Sequence, residues 1–338
     1  MNQQTKDKLE WQVEEYIKCK YSFDYFCRRY IYLELTGGDE LFSPYKKQSE
    51  LIDLIEKEHH VLVLKSRQVG ISTTIQAYCA YLLNFFENTN IGIISKDGPE
   101  STGFARAIRG MIEKIPSWLR PRNGKMGESF DKKAEQSFIL SNGSKLFTAT
   151  VNPQAPNKTL RGKALSFIII DECAFISKLD EAFESLVPAM ATARKQAMKS
   201  GSKYGTVVLS TPNKTTGQGA WFFSKYTKAI SGEGSFKPFI IHWKDIPELA
   251  NDPHWYKSQV AMLEDQRKVD QELELKFLPS SGSFFDEQTC LKLQNGSIDP
   301  IEIFKLFEGE IWKFENPIPG KHYIIGVDTA PEFGEDKS

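Results

Sequence analysis

Two segments about a hundred residues apart carry residue types whose spacing could do phosphoryl chemistry: VLVLKSRQVGISTT at Val61 to Thr74 and FIIIDECAF at Phe167 to Phe175. In the first, a β-branched and Leu run stops at a polar turn containing Gly70, and a stretch rich in Ala, Tyr and Leu follows. Strand, glycine-containing loop, helix is the order of a phosphate loop. The unpaired N–H groups at the helix start and the helix dipole attract a polyphosphate, and the glycine lets the backbone approach it. The common pattern is G-x-x-x-x-G-K-[ST], from which this chain departs twice: Lys65 occupies the first Gly position and Ile71 the Lys position. The register Lys65, Gly70, Ser72 therefore keeps a loop, a hydroxyl for magnesium and a lysine, with the lysine moved to the loop's entrance. From there a flexible ammonium could reach the β/γ-phosphates. Ser72 is the first choice for the metal hydroxyl and Thr73 the second, while Ser66, Arg67, Gln68, Val69, Gly70 and Ile71 would line the phosphates. Taken alone, the segment also fits a surface turn.

The second segment narrows that choice. Phe167 to Ile170 is a continuous apolar run, as expected of a parallel strand buried on both faces, and it ends in Asp171-Glu172. At the carboxyl end of such a strand Asp171 would hold the magnesium ion and Glu172 would orient and polarise the attacking water. Three further pieces fit around this pair. Tyr45 and Gln48, in SPYKKQ before the loop strand, could stack on an adenine and read its edge. Thr206 to Leu209 is another β-branched run, and Thr211 and Asn213, just beyond it, would lie beside the γ-phosphate. Arg161, in NKTLRGKALSF, could stabilise the transition state as an arginine finger.

At these residues the chain resembles the large terminase subunits of tailed bacteriophages, the motors that package DNA into procapsids. YKKQ is similar to that family's adenine motif, SRQVGIST to its phosphate loop, IIIDECAF to its acidic strand, LSTPN to its coupling motif and LRGKALS to the segment that supplies a trans-acting arginine. The resemblance implies ATP and Mg²⁺ as ligands and double-stranded DNA, a portal protein and a small terminase subunit as partners. It also implies a homo-oligomeric ring when assembled, a monomer being open for the isolated chain, and a site in the host cytoplasm docked at the portal vertex. Arg67 matches a loop arginine for which catalytic and sensor roles both stand. KHYIIGVDTAPEFGEDKS, from Lys321, resembles the first strand of an RNase H-like nuclease domain, with Asp328 matching its first metal carboxylate and Asp336 a further acid. Two-metal hydrolysis needs several carboxylates, so the chain is expected to lack nuclease activity by itself, as an engineered motor fragment or an interrupted reading frame.

The surrounding pattern must position these residues. Apolar strands are expected at Val61–Leu64, Ile91–Ser95, Lys145–Thr150, Phe167–Ile170 and Thr206–Leu209, with helices at Thr74–Phe86, Gly103–Lys114 and Glu181–Lys199. The alternation predicts an α/β fold of the P-loop NTPase, RecA-like kind, a mostly parallel sheet with helices on both faces and the nucleotide at the carboxyl ends of its strands. Asn142-Gly143 between apolar runs predicts a hairpin at one edge of the sheet, and one helix is expected over Pro253–Leu275. By resemblance, residues 1–40 and 216–315 form a small, mainly helical lid, residues 41–215 the ATPase core, and residues 316–338 a Pro-rich connector and the start of the nuclease domain.

Composition excludes little. Lys+Arg 43 against Asp+Glu 44 leaves a net charge of −1, so the chain is not a globally basic DNA binder, although basic clusters occur at Arg120 to Lys133 and Arg194 to Lys203. No apolar run approaches the roughly 18 residues of a membrane span, and the N-terminus has no signal-peptide pattern, which predicts a cytosolic protein. The 5 cysteines show no C-x-x-C pair and no histidines at zinc spacing. Two other function classes fit part of the pattern. A superfamily-2-like helicase would need a second RecA-like domain, and a dead nucleotide site kept as an assembly module would have no need of an ordered Asp-Glu pair.

Overall fold

In the computed structural model, residues 2–121, 130–134, 136–278, 289, 293, 296, 298, 300–306 and 309–323 are described. They divide into two units, Met1–Leu278 and Pro279–Ser338. The helices are α1 (Gln3–Tyr21), α2 (Phe23–Tyr30), α3 (Lys46–Glu58), α4 (Ile71–Phe85), α5 (Gly98–Lys114), α6 (Leu179–Ser200), α7 (Ala220–Ser231), α8 (Pro247–Ala250), α9 (Trp255–Leu263) and α10 (Gln266–Glu272). The strands of the first unit are β1 (Tyr32–Leu35), β2 (Gly38–Leu41), β3 (His60–Lys65), β4 (Asn90–Ser95), β5 (Phe130–Lys133), β6 (Ser137–Leu140), β7 (Lys145–Thr150), β8 (Phe167–Asp171), β9 (Gly205–Ser210) and β10 (Lys237–Ile241). In the second unit β11 (Glu302–Leu306) and β12 (Gly309–Lys313) form an antiparallel hairpin.

The main sheet has 8 strands in the order β10-β3-β9-β8-β4-β7-β6-β5. From β10 to β7 all neighbours run parallel, and β6 and β5 add an antiparallel edge. The Asn142-Gly143 turn makes that edge as expected: both residues lie between β6 and β7, and Gly143 has φ 80. Side chains alternate across the parallel strands. Val61, Val63, Ile91, Ile93, Phe167, Ile169, Val207 and Leu209 pack with the α3, α4 and α5 side of the core. Leu62, Leu64, Ile94, Ile168, Ile170 and Val208 pack on the other face with α6 and α7. A strand buried on both faces reads as an unbroken apolar run, which is why β3, β4, β8 and β9 were visible in the sequence.

Four features differ from the sequence reading. First, β10, in the stretch expected to be lid, is the edge strand beside β3, where Pro238 is tolerated because an edge strand leaves one side of its ladder open. Second, residues 3–30, also expected in the lid, pack on α4: Phe26 meets Phe85 edge to face at 4.9 Å between ring centroids, and Phe23 meets Tyr78 at 5.6 Å. Third, the expected helix over Pro253–Leu275 is two helices. Glu264 turns left-handed at φ 54 and Asp265 caps α10 by accepting from the Arg267 N–H at 2.9 Å. Fourth, α5 begins at Gly98, earlier than expected, because Asp97 caps it by accepting from the Glu100 N–H at 2.9 Å.

Among the described residues there is this one large sheet and two two-stranded hairpins, with no second parallel sheet. No helix among them is long and apolar enough to cross a membrane. Cys19, Cys27, Cys79 and Cys173 are free and buried; Cys290 lies outside the described residues, as do Asp328, Asp336 and residues 122–129 of one basic cluster.

Candidate active site

β3, β9 and β8 are adjacent and parallel, so their carboxyl ends bring three polar termini together: Lys65 ends β3, Ser210 ends β9 and Asp171 ends β8. Two strand spacings, about 9.5 Å, separate β3 from β8. The Lys65 and Glu172 side chains close that gap over the end of β9, with Lys65 Nζ 2.8 Å from Glu172 Oε1. Only long side chains can do this. Glu172 takes a left-handed backbone, φ 50, at the first residue beyond the strand, a sparsely populated conformation for a residue with a side chain. Ser210 lies beneath the pair. Its hydroxyl is 3.5 Å from Glu172 Oε2 and accepts from the Ala174 N–H at 3.3 Å, so β9 touches the acid directly.

The electrostatics follow from burial. Lys65 is 7% exposed and Asp171 8%. Burial opposes the Lys65 charge, but the Glu172 and Asp171 carboxylates outweigh it and hold the ammonium above the ordinary lysine value. Burial pushes the Asp171 carboxyl up to about 6, against the pull of Lys65 and of hydrogen bonds from Ser72 and the Glu172 N–H. The Ser72 hydroxyl and Asp171 are therefore in contact across the loop and the acidic strand. Both offer hard oxygens of the kind that magnesium takes beside phosphate oxygens. Among the described residues no group of three His, Cys, Asp or Glu forms a metal cage. Such a pair fits an ion whose other ligands come from phosphate and water.

The loop itself turns through two left-handed residues, Gln68 at φ 63 and Gly70 at φ 70, and Gly70 caps α4. A Cβ on Gly70 would lie 2.7 Å from Gln48 Nε2, so a larger residue would have to shift that hydrogen-bonded amide as well as adopt the left-handed angle. Thr74 braces the first turn of α4 by donating from its hydroxyl to the Gly70 carbonyl at 2.9 Å. Ile71 is 1% exposed, so the side chain standing at the usual lysine position is a core residue.

Two residues expected to touch nucleotide are otherwise engaged. Gln48 is 2% exposed, donates to the Val69 carbonyl at 3.0 Å and accepts from the Tyr45 N–H at 3.0 Å. Its amide supports the loop from behind. Ser66 is fully buried: its N–H donates to the Ile241 carbonyl at 3.0 Å, and its hydroxyl donates to the Leu273 carbonyl at 2.8 Å and accepts from the Trp243 N–H at 3.2 Å. Ser66 ties the loop to β10 and α10, and its buried hydrogen bonds leave nothing to offer a phosphate.

The other candidates lie around this centre. Tyr45 caps α3, and burial together with a hydrogen bond to Glu248 pushes its phenol up to about 12. Asn213 donates to the Ala174 carbonyl at 2.8 Å, bracing the turn after Glu172, and Thr211 is buried beside it in sequence. Arg67 is exposed, its guanidinium 3.7 Å from the Glu272 carboxylate. Arg161 is exposed on the segment before β8. Sequence reasoning missed Glu272, Leu273 and Gln271. Only the Asp265 cap signalled that a helix would begin there.

A family model described as "Terminase large subunit, T4likevirus-type, N-terminal" matches residues 62–292. Among solved structures, the HK97 bacteriophage large terminase matches at 13% identity and TM-score 0.53, over 76% of this chain and 54% of that one. The large terminase of a thermophilic bacteriophage matches at 14% identity and TM-score 0.51, over 73% of this chain and 57% of that one. The Thermus phage P74-26 large terminase ATPase domain matches at 18% identity and TM-score 0.46, over 70% of this chain and 95% of that one. The chain thus spans little more than half the length of the first two proteins, whose likeness supports the P-loop NTPase-like fold.

Proposed function

We propose, for a chain that belongs to the terminase large subunit family of the T4likevirus type and is thereby a DNA-packaging motor ATPase, that ATP is hydrolysed between the 66–70 loop and the end of β8. The single observation that carries this reading is the Lys65–Glu172 pair closed over Ser210 beside the start of α4.

ATP would enter with its phosphates at the N-terminus of α4, where backbone dipoles favour anions. Lys65 would turn from Glu172 to the β/γ-phosphates, since a polyphosphate carries more charge than one carboxylate. That exchange frees Glu172, whose carboxylate then accepts a hydrogen bond from the attacking water and aligns it with the γ-phosphorus. Ser72 and Asp171 would hold Mg²⁺, which when bound offsets the charge on the phosphate oxygens. Ser210, bonded to both Glu172 and the following turn, would report the acid's position to β9. Arg161 would act on the nucleotide of a neighbouring subunit, its exposed guanidinium being free to reach across an interface. Tyr45 remains the candidate for contact with the base.

Double-stranded DNA, a portal protein and a small terminase subunit are the partners proposed for the assembled ring, which would work in the host cytoplasm at the portal vertex. Apart from β10, which belongs to the core sheet, the lid role of residues 1–40 and 216–315, the core at 41–215 and a metal role for Asp328 in a nuclease domain belong to this proposal as well. The helicase reading is not favoured: no second parallel sheet occurs among the described residues. Steady-state ATP turnover tests the site. Lys65→Ala and Glu172→Gln should each abolish hydrolysis, and parent-like turnover by either would refute the assignment.

A further inference from the structure

Four adjacent strands of the main sheet end in polar residues on one side. Lys65, Ser210 and Asp171 close β3, β9 and β8, and Ser95 closes β4 on the far flank of β8. β4 and β8 run parallel, with Ile93 opposite Ile169 and Ile94 opposite Ile170. One step further on, Ser95 comes level with Asp171, about 4.8 Å away across the ladder. Parallel neighbours at one level share a face of the sheet. Ile93 and Ile169 lie on the α4 and α5 side, Ile94 and Ile170 on the other, and the alternation returns Ser95 and Asp171 together to the α4 side. There Ser72, in the first turn of α4, hydrogen-bonds to Asp171. Ser95 is 1% exposed, and its hydroxyl is without a hydrogen-bond partner among the described residues. A buried hydroxyl left unpaired lowers stability, and the packing of β4 by itself asks for nothing more polar than alanine.

We propose that Ser95 is a positioning residue for hydrated magnesium: its hydroxyl is held free, beside Ser72 and Asp171, to accept a hydrogen bond from a water bound to the metal. The inference rests on the reading of Ser72 and Asp171 as the Mg²⁺ site. Magnesium gives up its waters reluctantly and keeps several of them when it binds to carboxylate and phosphate. Those waters are strong donors, and in a buried site each needs an acceptor. Ser95 offers one at the level of Asp171 and on the same face of the sheet. Groups that hold a metal through its outer shell change its affinity without touching it. The metal-free protein therefore carries an unpaired hydroxyl, and the metal-loaded complex satisfies it. Through Ser95, β4 would join β8 and α4 in selecting nucleotide that arrives with its metal.

The test compares the full chain with its Ser95→Ala and Asp171→Asn variants by two measurements that need no turnover. Titration with a fluorescent, non-hydrolysable ATP analogue, over a series of Mg²⁺ concentrations and in EDTA, gives the Mg²⁺ concentration for half-maximal binding. Loss of one hydrogen bond to metal-bound water should raise that concentration about three- to tenfold in Ser95→Ala, with analogue binding in EDTA unchanged. Urea unfolding in EDTA should show Ser95→Ala at least as stable as the parent, because the unpaired hydroxyl is gone. An unchanged Mg²⁺ requirement in Ser95→Ala overturns the proposal. So does an equal loss of analogue binding with and without Mg²⁺, which would mean a distorted loop. A destabilised Ser95→Ala chain overturns it too, because the hydroxyl would then have a structural partner in the metal-free protein. Asp171→Asn separates the two readings. If it leaves the Mg²⁺ requirement unchanged, the metal is held elsewhere and both readings fail; if it raises the requirement while Ser95→Ala does not, the role of Ser95 alone is wrong.

Discussion

Replacing Lys65 by Met and Glu172 by Gln, singly and together, should show that the two charges are joined in the folded protein. Lys65 Nζ and Glu172 Oε1 are 2.8 Å apart, with side chains 8% and 23% exposed. At an effective dielectric constant of 20, two unit charges at that distance attract by about 6 kcal/mol. Desolvation of both groups offsets much of this. Removing one partner of a buried pair typically costs about 3–5 kcal/mol, because the other charge is left without compensation. Glu172 is open enough for water to reach it once Lys65 is gone, which places Lys65→Met nearer about 2–3 kcal/mol. Glu172→Gln leaves a buried ammonium with Asp171 still at hand, and should cost about 2 kcal/mol. The double variant leaves neither charge stranded. It should therefore be more stable than the sum of the single losses implies by at least about 1.5 kcal/mol, well above the scatter of about 0.5 kcal/mol for independent sites. Urea unfolding monitored by tryptophan fluorescence and by far-ultraviolet circular dichroism would supply the four stabilities. Additivity within that scatter would refute the reasoning.

Other perturbations probe the same architecture. Asp171 has its carboxyl raised from 3.8 to about 6, so the folded chain binds this proton more tightly than the unfolded chain. The resulting stability is complete below the unfolded value and is lost as pH rises toward 6. Asp171→Asn should therefore stabilise the metal-free protein by up to about 3 kcal/mol at pH 8, by linkage, with the gain shrinking as pH falls toward 4. Unfolding in EDTA across that range checks it, and a gain independent of pH would contradict it. Gly70→Ala must carry a left-handed backbone and displace Gln48, whose amide its Cβ would approach to 2.7 Å. A loss of about 2–3 kcal/mol and weaker ATP binding are expected, and a loss under about 0.5 kcal/mol in urea unfolding would show that the loop relaxes freely. Mixing Arg161→Ala chains with Glu172→Gln chains should restore part of the ATP turnover in assembled rings, because one interface would then hold an intact pair. Absence of rescue under conditions that support assembly would count against a shared site.

The parts of this molecule legible in its sequence are those where one strand or one turn decides the matter alone. Ile168, Ile169 and Ile170 are buried on alternate faces of β8, so their run announced a central strand, and Asp171-Glu172 marked its carboxyl end. Gly70 marked the loop because few other residues tolerate its angle. What was hidden depends on contacts between distant segments. Ser66 and Leu273 are bonded across 207 positions through a hydroxyl and a backbone carbonyl, and a carbonyl leaves no trace in residue type. Gln48 has the chemistry to read a base, but its amide is used on the backbone of its own loop and cap. β10 has a Pro and a Lys at its start and pairs on one side only, so its pattern is weak beside that of β3. The break at Glu264 occurs without a glycine, and only the Asp265 cap beyond it could have betrayed the second helix.

The most direct measurement is an experimental structure of the full chain with Mg²⁺ and a non-hydrolysable ATP analogue. The phosphates are expected at the N-terminus of α4, with Lys65 Nζ moved from Glu172 to a β/γ-oxygen and the Glu172 carboxylate facing a water in line with the γ-phosphorus. Phosphates bound elsewhere, or Lys65 still paired with Glu172 beside a bound nucleotide, would contradict the assignment of these two residues to hydrolysis.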